Sequence, residues 1–253
     1  MSILWLRSWF LIGAVFAMEV GYGVLPFYVD ASPDVTVDTQ ATPIATEPGL
    51  GADQRQLVAV AVSHIKARRL SEADNILDQV LAVFRGKLTD PGAIYISAAT
   101  RDEFADYKKT ATVSGKIIWL DWSFREALHL KAFIEAASKR FEPALQFLAE
   151  EIKYAPTAAA PYIEQGYIRN QLGDPKAALE AYSLALDRSR RHVSSAPLEG
   201  PALRGMGVAL IDLGDLDLAE RWLRESLKVE PANPVAVHEL EYIKQRRGAS
   251  LAP

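Results

Sequence analysis

Residues 166–186 read GYIRNQLGDPKAALEAYSLAL, and residues 207–231 read GVALIDLGDLDLAERWLRESLKVEP. Each stretch sets a glycine, Gly166 or Gly207, twelve positions before an alanine, Ala178 or Ala219, with a large apolar residue, Tyr182 or Leu223, four further on. Twelve residues hold the end of one helix, a short turn and the start of a second. The two small residues then fall where antiparallel helices must approach closely. Gly173 and Gly214 stand where a helix ends in the left-handed conformation, and Asp174-Pro175 supplies an N-cap followed by proline at the first helical position. Both stretches are predicted to be helical hairpins.

The same spacing recurs upstream, as Ala61, Ala73 and Leu77 and as Ala132, Ala144 and Leu148, and Pro156 and Pro231 close their units. Ala144 and Ala178 are 34 apart, whereas Ala178 and Ala219 are 41 apart. The seven added residues are expected to lengthen a second helix before a Ser194-Ser195-Ala196-Pro197 loop. In these residues the chain resembles the tetratricopeptide repeat family, whose period is 34. Lys131, Glu135, Gln165 and Arg169 depart from it, standing where the family usually has large apolar residues, and Arg68 replaces the turn glycine of the first unit. The resemblance implies an all-α stack of helix-turn-helix units over residues 54–87, 124–158, 159–199 and 200–233. A cap helix over 234–248 opens at Asn233-Pro234, with His238, Glu239, Glu241, Lys244 and Gln245 expected to face water.

Residues 88–123 do not fit the repeat. Ala93 to Ser97 and Lys116 to Leu120 read as extended, and Thr100 with Glu103, then Ser123 with Glu126, form capping-box patterns. Two short strands flanking a helix and an irregular helical pair both satisfy this stretch.

The first 29 residues carry only two charged side chains, Arg7 and Glu19, and read as a signal anchor or a cleaved signal peptide. Residues 9–29 are long enough to span a bilayer. Val15-Phe16-Ala17 and Val29-Asp30-Ala31 also offer small residues suited to cleavage, and a buried helix of a soluble protein is a third reading. Arg7 before the run and Asp30, Asp34, Asp38, Glu47 and Asp53 after it orient the body outward. Residues 30–53, rich in Pro, Thr, Ala and Asp, are expected to form a disordered acidic tether. The body is therefore placed on the outer, periplasmic side of a membrane through its N-terminal helix, or exported after cleavage.

The whole chain has 253 residues, 49% of them apolar, and a formal charge of −4; residues 54–253 hold 27 basic and 26 acidic side chains. That balance gives no basic surface for nucleic acid. With no cysteine and four histidines, thiolate chemistry is absent and no metal or cofactor site is predicted. His238-Glu239-Leu240-Glu241-Tyr242 has one histidine where a metalloprotease helix needs two. Gly205-Met206-Gly207 lacks the strand and third glycine of a dinucleotide turn. The pairs Asp102 and Asp106, and Glu150 and Glu151, read as solvated helix faces. No catalytic residue is assigned.

The resemblance implies instead a concave channel for a protein or peptide partner, lined by the first helices of the units. Ile163, Tyr167 and Asn170, and Arg204, Val208 and Ile211, fall at i, i+4 and i+7 spacing on such faces; His129 and Phe133 form the matching pair in the earlier unit. Helix packing explains the same apolar residues equally well, and a satisfied buried histidine explains His129. Glu164 and Pro201 stand where some relatives hold acidic chaperone tails with basic and amide groups, so that clamp is not expected. The reading is a protein-interaction scaffold of the cell envelope. Its rival is an enzyme or substrate-handling domain centred on Tyr95, Asp102, Tyr107, Trp119, Asp121 and Trp122 of the insertion. Convergent polar groups in a closed pocket would favour the rival; buried indoles with dispersed carboxylates would favour the scaffold.

Overall fold

The computed structural model describes residues 49–111 and 115–250, with two further pairs of residues near the N-terminus. Those pairs, β1 (Ala17–Met18) and β2 (Leu25–Pro26), form an antiparallel ladder. The rest of the expected signal segment and the tether as far as residue 48 lie outside the described residues. Among the described residues no helix is long and apolar enough to cross a membrane.

The chain divides into two compact units, Ala45–Pro161, and Tyr162–Pro253 together with Met1–Ile44. The first holds α1 (Arg55–Lys66), α2 (Leu70–Lys87), β3 (Ile94–Ala98), α3 (Arg101–Thr110), β4 (Ile117–Asp121), α4 (Trp122–Ala137) and α5 (Phe141–Tyr154). The second holds α6 (Ala160–Gln171), α7 (Pro175–Arg191), α8 (Glu199–Leu213), α9 (Leu216–Val229) and α10 (Pro234–Ser250). The chain is a mostly helical, tetratricopeptide-like repeat stack carrying a two-stranded insertion.

One turn is used four times. Arg68, Lys139, Gly173 and Gly214 have φ of 58°, 59°, 75° and 86°, and each stands five residues before the alanine of its unit. The next amide donates back across the helix end: Arg69 to His64 O, Arg140 to Glu135 O, Asp174 to Arg169 O and Asp215 to Leu210 O, at 2.8–3.0 Å. This is the bond pattern of a helix closed by a left-handed residue. Arg68 and Lys139 adopt it without being glycine, so the first pair, α1 and α2, has the same turn despite its divergent sequence.

The spaced small residues pack as expected. Ala61, Ala73, Leu77, Ala144, Leu148, Ala178, Ala219 and Leu223 are fully buried. A side chain on Gly207 would place its Cβ 2.6 Å from Leu223 Cγ, and one on Gly166 would meet the Tyr182 ring at 2.7 Å. The polar departures in α4 are paired: Lys131 Nζ reaches Asp74 and Asp78 of α2 at 2.6 and 2.8 Å, and Glu135 binds Arg140. The added residues lengthen α7 to 17 residues, against 14 in α9. The expected Ser194-Ser195-Ala196-Pro197 loop is a 3-10 segment, Val193–Leu198.

In the insertion β3 and β4 run parallel, from Ile94↔Ile117 to Ala98↔Asp121, so the helical-pair alternative does not hold. Thr100 caps α3, accepting the Glu103 amide at 3.1 Å, while the Glu103 carboxylate takes the Ala99 amide. The second capping box is displaced: Asp121, not Ser123, caps α4, accepting from Ser123 N at 3.1 Å and Ser123 Oγ at 2.7 Å. The ordered body also starts before the expected end of the tether. Leu50 bridges to β4, its N–H donating to Trp119 O and its carbonyl accepting from Asp121 N, both at 3.0 Å.

Helix α10 differs in two respects from the expected cap. It continues through Gly248 to Ser250, with Arg247 bound to Asp217 and Glu220 of α9 at 2.5 Å. Glu239, expected in water, is 4% exposed. His238, Glu241, Lys244 and Gln245 are exposed as predicted, and Ala236 and Ile243 join the core of Leu210, Ile211, Ala219 and Leu223.

The packing gives a graded test. Gly207→Ala should destabilise the protein by about 1 to 3 kcal/mol, because the new methyl has no room beside Leu223. At Gly86 of α2 a methyl meets nothing within 4 Å, and Gly86→Ala should stabilise by up to about 1 kcal/mol through helix propensity. Urea denaturation of the two variants measures both signs.

Candidate functional site

Tyr182 of α7 organises the inner face of the second unit. Its ring fills the space left by Gly166 of α6 and by Gly205 of α8, where a Cβ would approach within 2.7 and 2.3 Å. It is 1% exposed. Its hydroxyl is screened from water, with the Asn170 side-chain amide as neighbour but off hydrogen-bonding geometry. Burial pushes this phenol's pKa far up, and the charges of Glu164 and Asp212 act in the same direction. Tyr167 is near enough to add to the effect; its own pKa is pushed up to about 12 by burial, then by Glu164. Tyr167 and Asn170 are thus gathered around one buried ring, with Asp212 at the end of α8.

The expected face residues are more covered than an open channel would leave them. Ile163, Tyr167, Val208 and Ile211 are all under 9% exposed, and Asn170 is half-buried. Arg204 is occupied within the chain: its guanidinium binds the Glu230 carboxylate at 2.5 Å. Desolvation on burial lowers its pKa, opposed by Glu230. Asn233 donates to the same carboxylate at 2.8 Å and, with its side-chain oxygen, accepts from Val235 N at 3.1 Å at the start of α10. Arg204 therefore braces the connection from α9 to α10.

In the first unit His129 is buried, with Nδ1 2.9 Å from Glu151 Oε2, and Phe133 is half-buried. Glu151 is 3% exposed, not on the solvated face expected for it, whereas its neighbour Glu150 pairs with Arg85 at 2.9 Å. Tyr182 was expected only as a packing residue and Glu151 on a solvated face, and Glu230 carries no expectation from the sequence. For Glu151 a signal exists, since it stands seven residues after Ala144 and so returns to the packed side of its helix.

The insertion residues hold the fold together. Asp121 is fully buried and accepts from Arg55 Nε at 2.9 Å and Nη2 at 2.6 Å, as well as from Gly49 N at 3.4 Å. The Trp119 indole stacks on Phe104 and donates to Ala98 O at 2.8 Å. Trp122 is buried beneath the Arg55 guanidinium, and the Tyr95 hydroxyl accepts the Asp90 amide at 2.8 Å. Asp102 is exposed, and Tyr107 is half-buried, which raises its phenol pKa. The indoles are buried or stacked and the carboxylates dispersed. Among the described residues no group of three His, Asp or Glu could hold a metal ion.

A tetratricopeptide repeat family model matches residues 159–192 and 205–233. Among solved structures the chain is similar to PilW, a widely conserved type IV pilus biogenesis factor, at 18% identity over 78% of this chain and 70% of that one, with a TM-score of 0.54. It is also similar to the first TPR of Spaghetti (RPAP3) bound to the HSP90 peptide SRMEEVD, at 19% identity over 51% of this chain and 97% of that one, with a TM-score of 0.45. No curated protein sequence matches at a significant level. The likeness to PilW supports the repeat-stack fold.

If Arg204 is a brace, Arg204→Ala should lower stability by about 1.5 to 3 kcal/mol, the range for a hydrogen bond to a charged group. Glu230→Gln should lose less, since its amide oxygen still accepts. Equal and negligible effects in urea melts would contradict the bracing role.

Proposed function

We propose that this chain is a non-enzymatic scaffold of the cell envelope that binds an extended segment of a partner protein along the inner face of its last two repeats. The reading is carried by the two matched repeats, whose first helices set Ile163, Tyr167 and Asn170, and Val208 and Ile211, at one-turn spacings beside the Tyr182 ring. Apolar residues at that spacing offer pockets for side chains, and the Tyr167 hydroxyl and the Asn170 amide, whose atoms are buried and without a hydrogen-bond partner among the described residues, are the directed polar groups of that face. His129 and Phe133 extend the same kind of face in the first unit. Stacked repeats ordinarily bind through such concave surfaces.

Arg204 contributes by fixing the helix ends, since its charge is already matched by Glu230. The dispersed carboxylates of the insertion suit a packed junction better than a reaction centre. The envelope location rests on the N-terminal residues: an apolar run with Arg7 ahead of it and five acidic side chains after it.

A peptide selected from a display library on the full chain is the probe for binding. Asn170→Ala, at a half-buried position, and Tyr167→Ala should each weaken it by about 2 kcal/mol, roughly 30-fold in Kd. Leu184→Ser, on an exposed leucine of α7, should leave it unchanged. Full affinity in folded Asn170 and Tyr167 variants would discard the inner face as the binding surface.

Location is tested separately. Protease added to spheroplasts should remove the body and spare the N-terminus, and a fully resistant body would reverse the orientation.

A further inference from the structure

The hairpin of α4 and α5 buries more ionisable groups than helix packing needs. His129 of α4 and Glu151 of α5 stand 22 positions apart, with Nδ1 2.9 Å from Oε2, and are 8% and 3% exposed. One turn before His129 on the same helix come Arg125 and Glu126. The Arg125 guanidinium binds Glu103 of α3, and Glu103 and Glu126 are both buried. Burial works against the Arg125 charge, yet Glu103, and then Glu151 and Glu126, hold its pKa above the usual value. All three carboxylates lie within electrostatic reach of this one guanidinium.

Other charges of the elements packed on α4 are matched away from His129. From α2, Asp74 and Asp78 bind Lys131; from α1, Arg55 binds Asp121; on α5, Glu150 binds Arg85. Asp53, in the turn before α1, faces Lys87 at 3.8 Å, and Glu135 of α4 binds Arg140. Tyr95 of β3 is bonded to the Asp90 amide, and Tyr154 of α5 sets its ring against Phe124. Among the described residues, then, three buried carboxylates share one guanidinium, and the further ionisable group joined to them is the His129 imidazole. Buried charge of one sign is costly unless it is matched. A neutral ring donating from Nδ1 would satisfy the hydrogen bond to Glu151; an imidazolium satisfies it and also reduces the surplus.

We propose that His129 keeps its proton in the folded protein up to a pH at which the ring of an unfolded chain has lost it, making α4 and α5 a pH-sensitive joint. This goes beyond the binding reading and does not depend on it. A histidine in an unfolded chain titrates near about pH 6.5. A proton held more tightly by the folded state gives stability that is fully present below that pH. It is lost as the pH rises through the folded-state titration. Each pH unit of added retention is a tenfold change in the folding constant. Mild acid therefore tightens the joint and alkali loosens it.

Nitrogen NMR of the full chain, with isotope placed in the histidine rings, reads the proton itself. The His129 signal is the one missing from His129→Gln, or, should that variant not fold, the one displaced in Glu151→Gln. It should report both ring nitrogens protonated at about pH 7.5, where an ordinary imidazole is mostly neutral. Glu151→Gln should move its titration to lower pH, because the ring then faces an uncharged amide. In urea melts the folding constant of the wild type should fall from about pH 6 to about pH 9 by at least tenfold more than that of His129→Gln. A His129 ring already neutral at about pH 7.5, a titration unmoved by Glu151→Gln, or equal pH dependence of stability in wild type and folded His129→Gln would overturn the proposal.

Discussion

Two helices can lie in contact along their backbones only where neither presents a side chain larger than a methyl, and this protein is organised around that limit. Ala61 with Ala73, Ala132 with Ala144, Gly166 with Ala178 and Gly207 with Ala219 mark the approaches. The large residue four positions on then fills the adjoining space. At Gly166 and Gly205 even a methyl is excluded by the Tyr182 ring, and at Gly207 by Leu223. The turn depends on the same limit, since a left-handed residue must fall at a fixed distance from the alanine for the second helix to return in register.

Much of this could be read before any coordinates, because the constraint acts on residue size at fixed spacing. The hairpins, the longer α7, and the two strands around α3 follow from local patterns. The first unit was harder to read because its turn uses Arg68, a residue with no preference for positive φ; the register of α4 was obscured by Lys131 and Glu135, whose partners in space lie on α2 and in the next turn. Such pairings over distance are invisible to periodicity. Arg204 is the same lesson at the candidate site. Its spacing along α8 suggested a partner contact, but a guanidinium also finds any carboxylate within its reach, and Glu230 is 26 residues away in sequence.

Asp121 shows how much one buried charge can organise. It ends a strand, caps a helix and receives Arg55 from the first helix, so three elements of the first unit meet at one carboxylate. Burying it alone would be strongly unfavourable. The guanidinium, the Ser123 donors and the Gly49 amide together satisfy both oxygens, so the charge serves registration of these elements more than net stability. At Asp121 the insertion is a junction of β4, α4 and the first helix.

Leu50 adds a mechanical consequence. The polypeptide enters the first unit alongside β4 and parallel to it, joined by bonds to Trp119 and Asp121 on either side of Leu120. A pull on the preceding segment directed along the strand would act on these bonds in shear, so that they yield together. The Asp121 contacts with Gly49 and Arg55 lie at the same point. A body suspended from a surface by its N-terminal segment would carry its point of suspension where strand pairing and a buried charge resist sliding together.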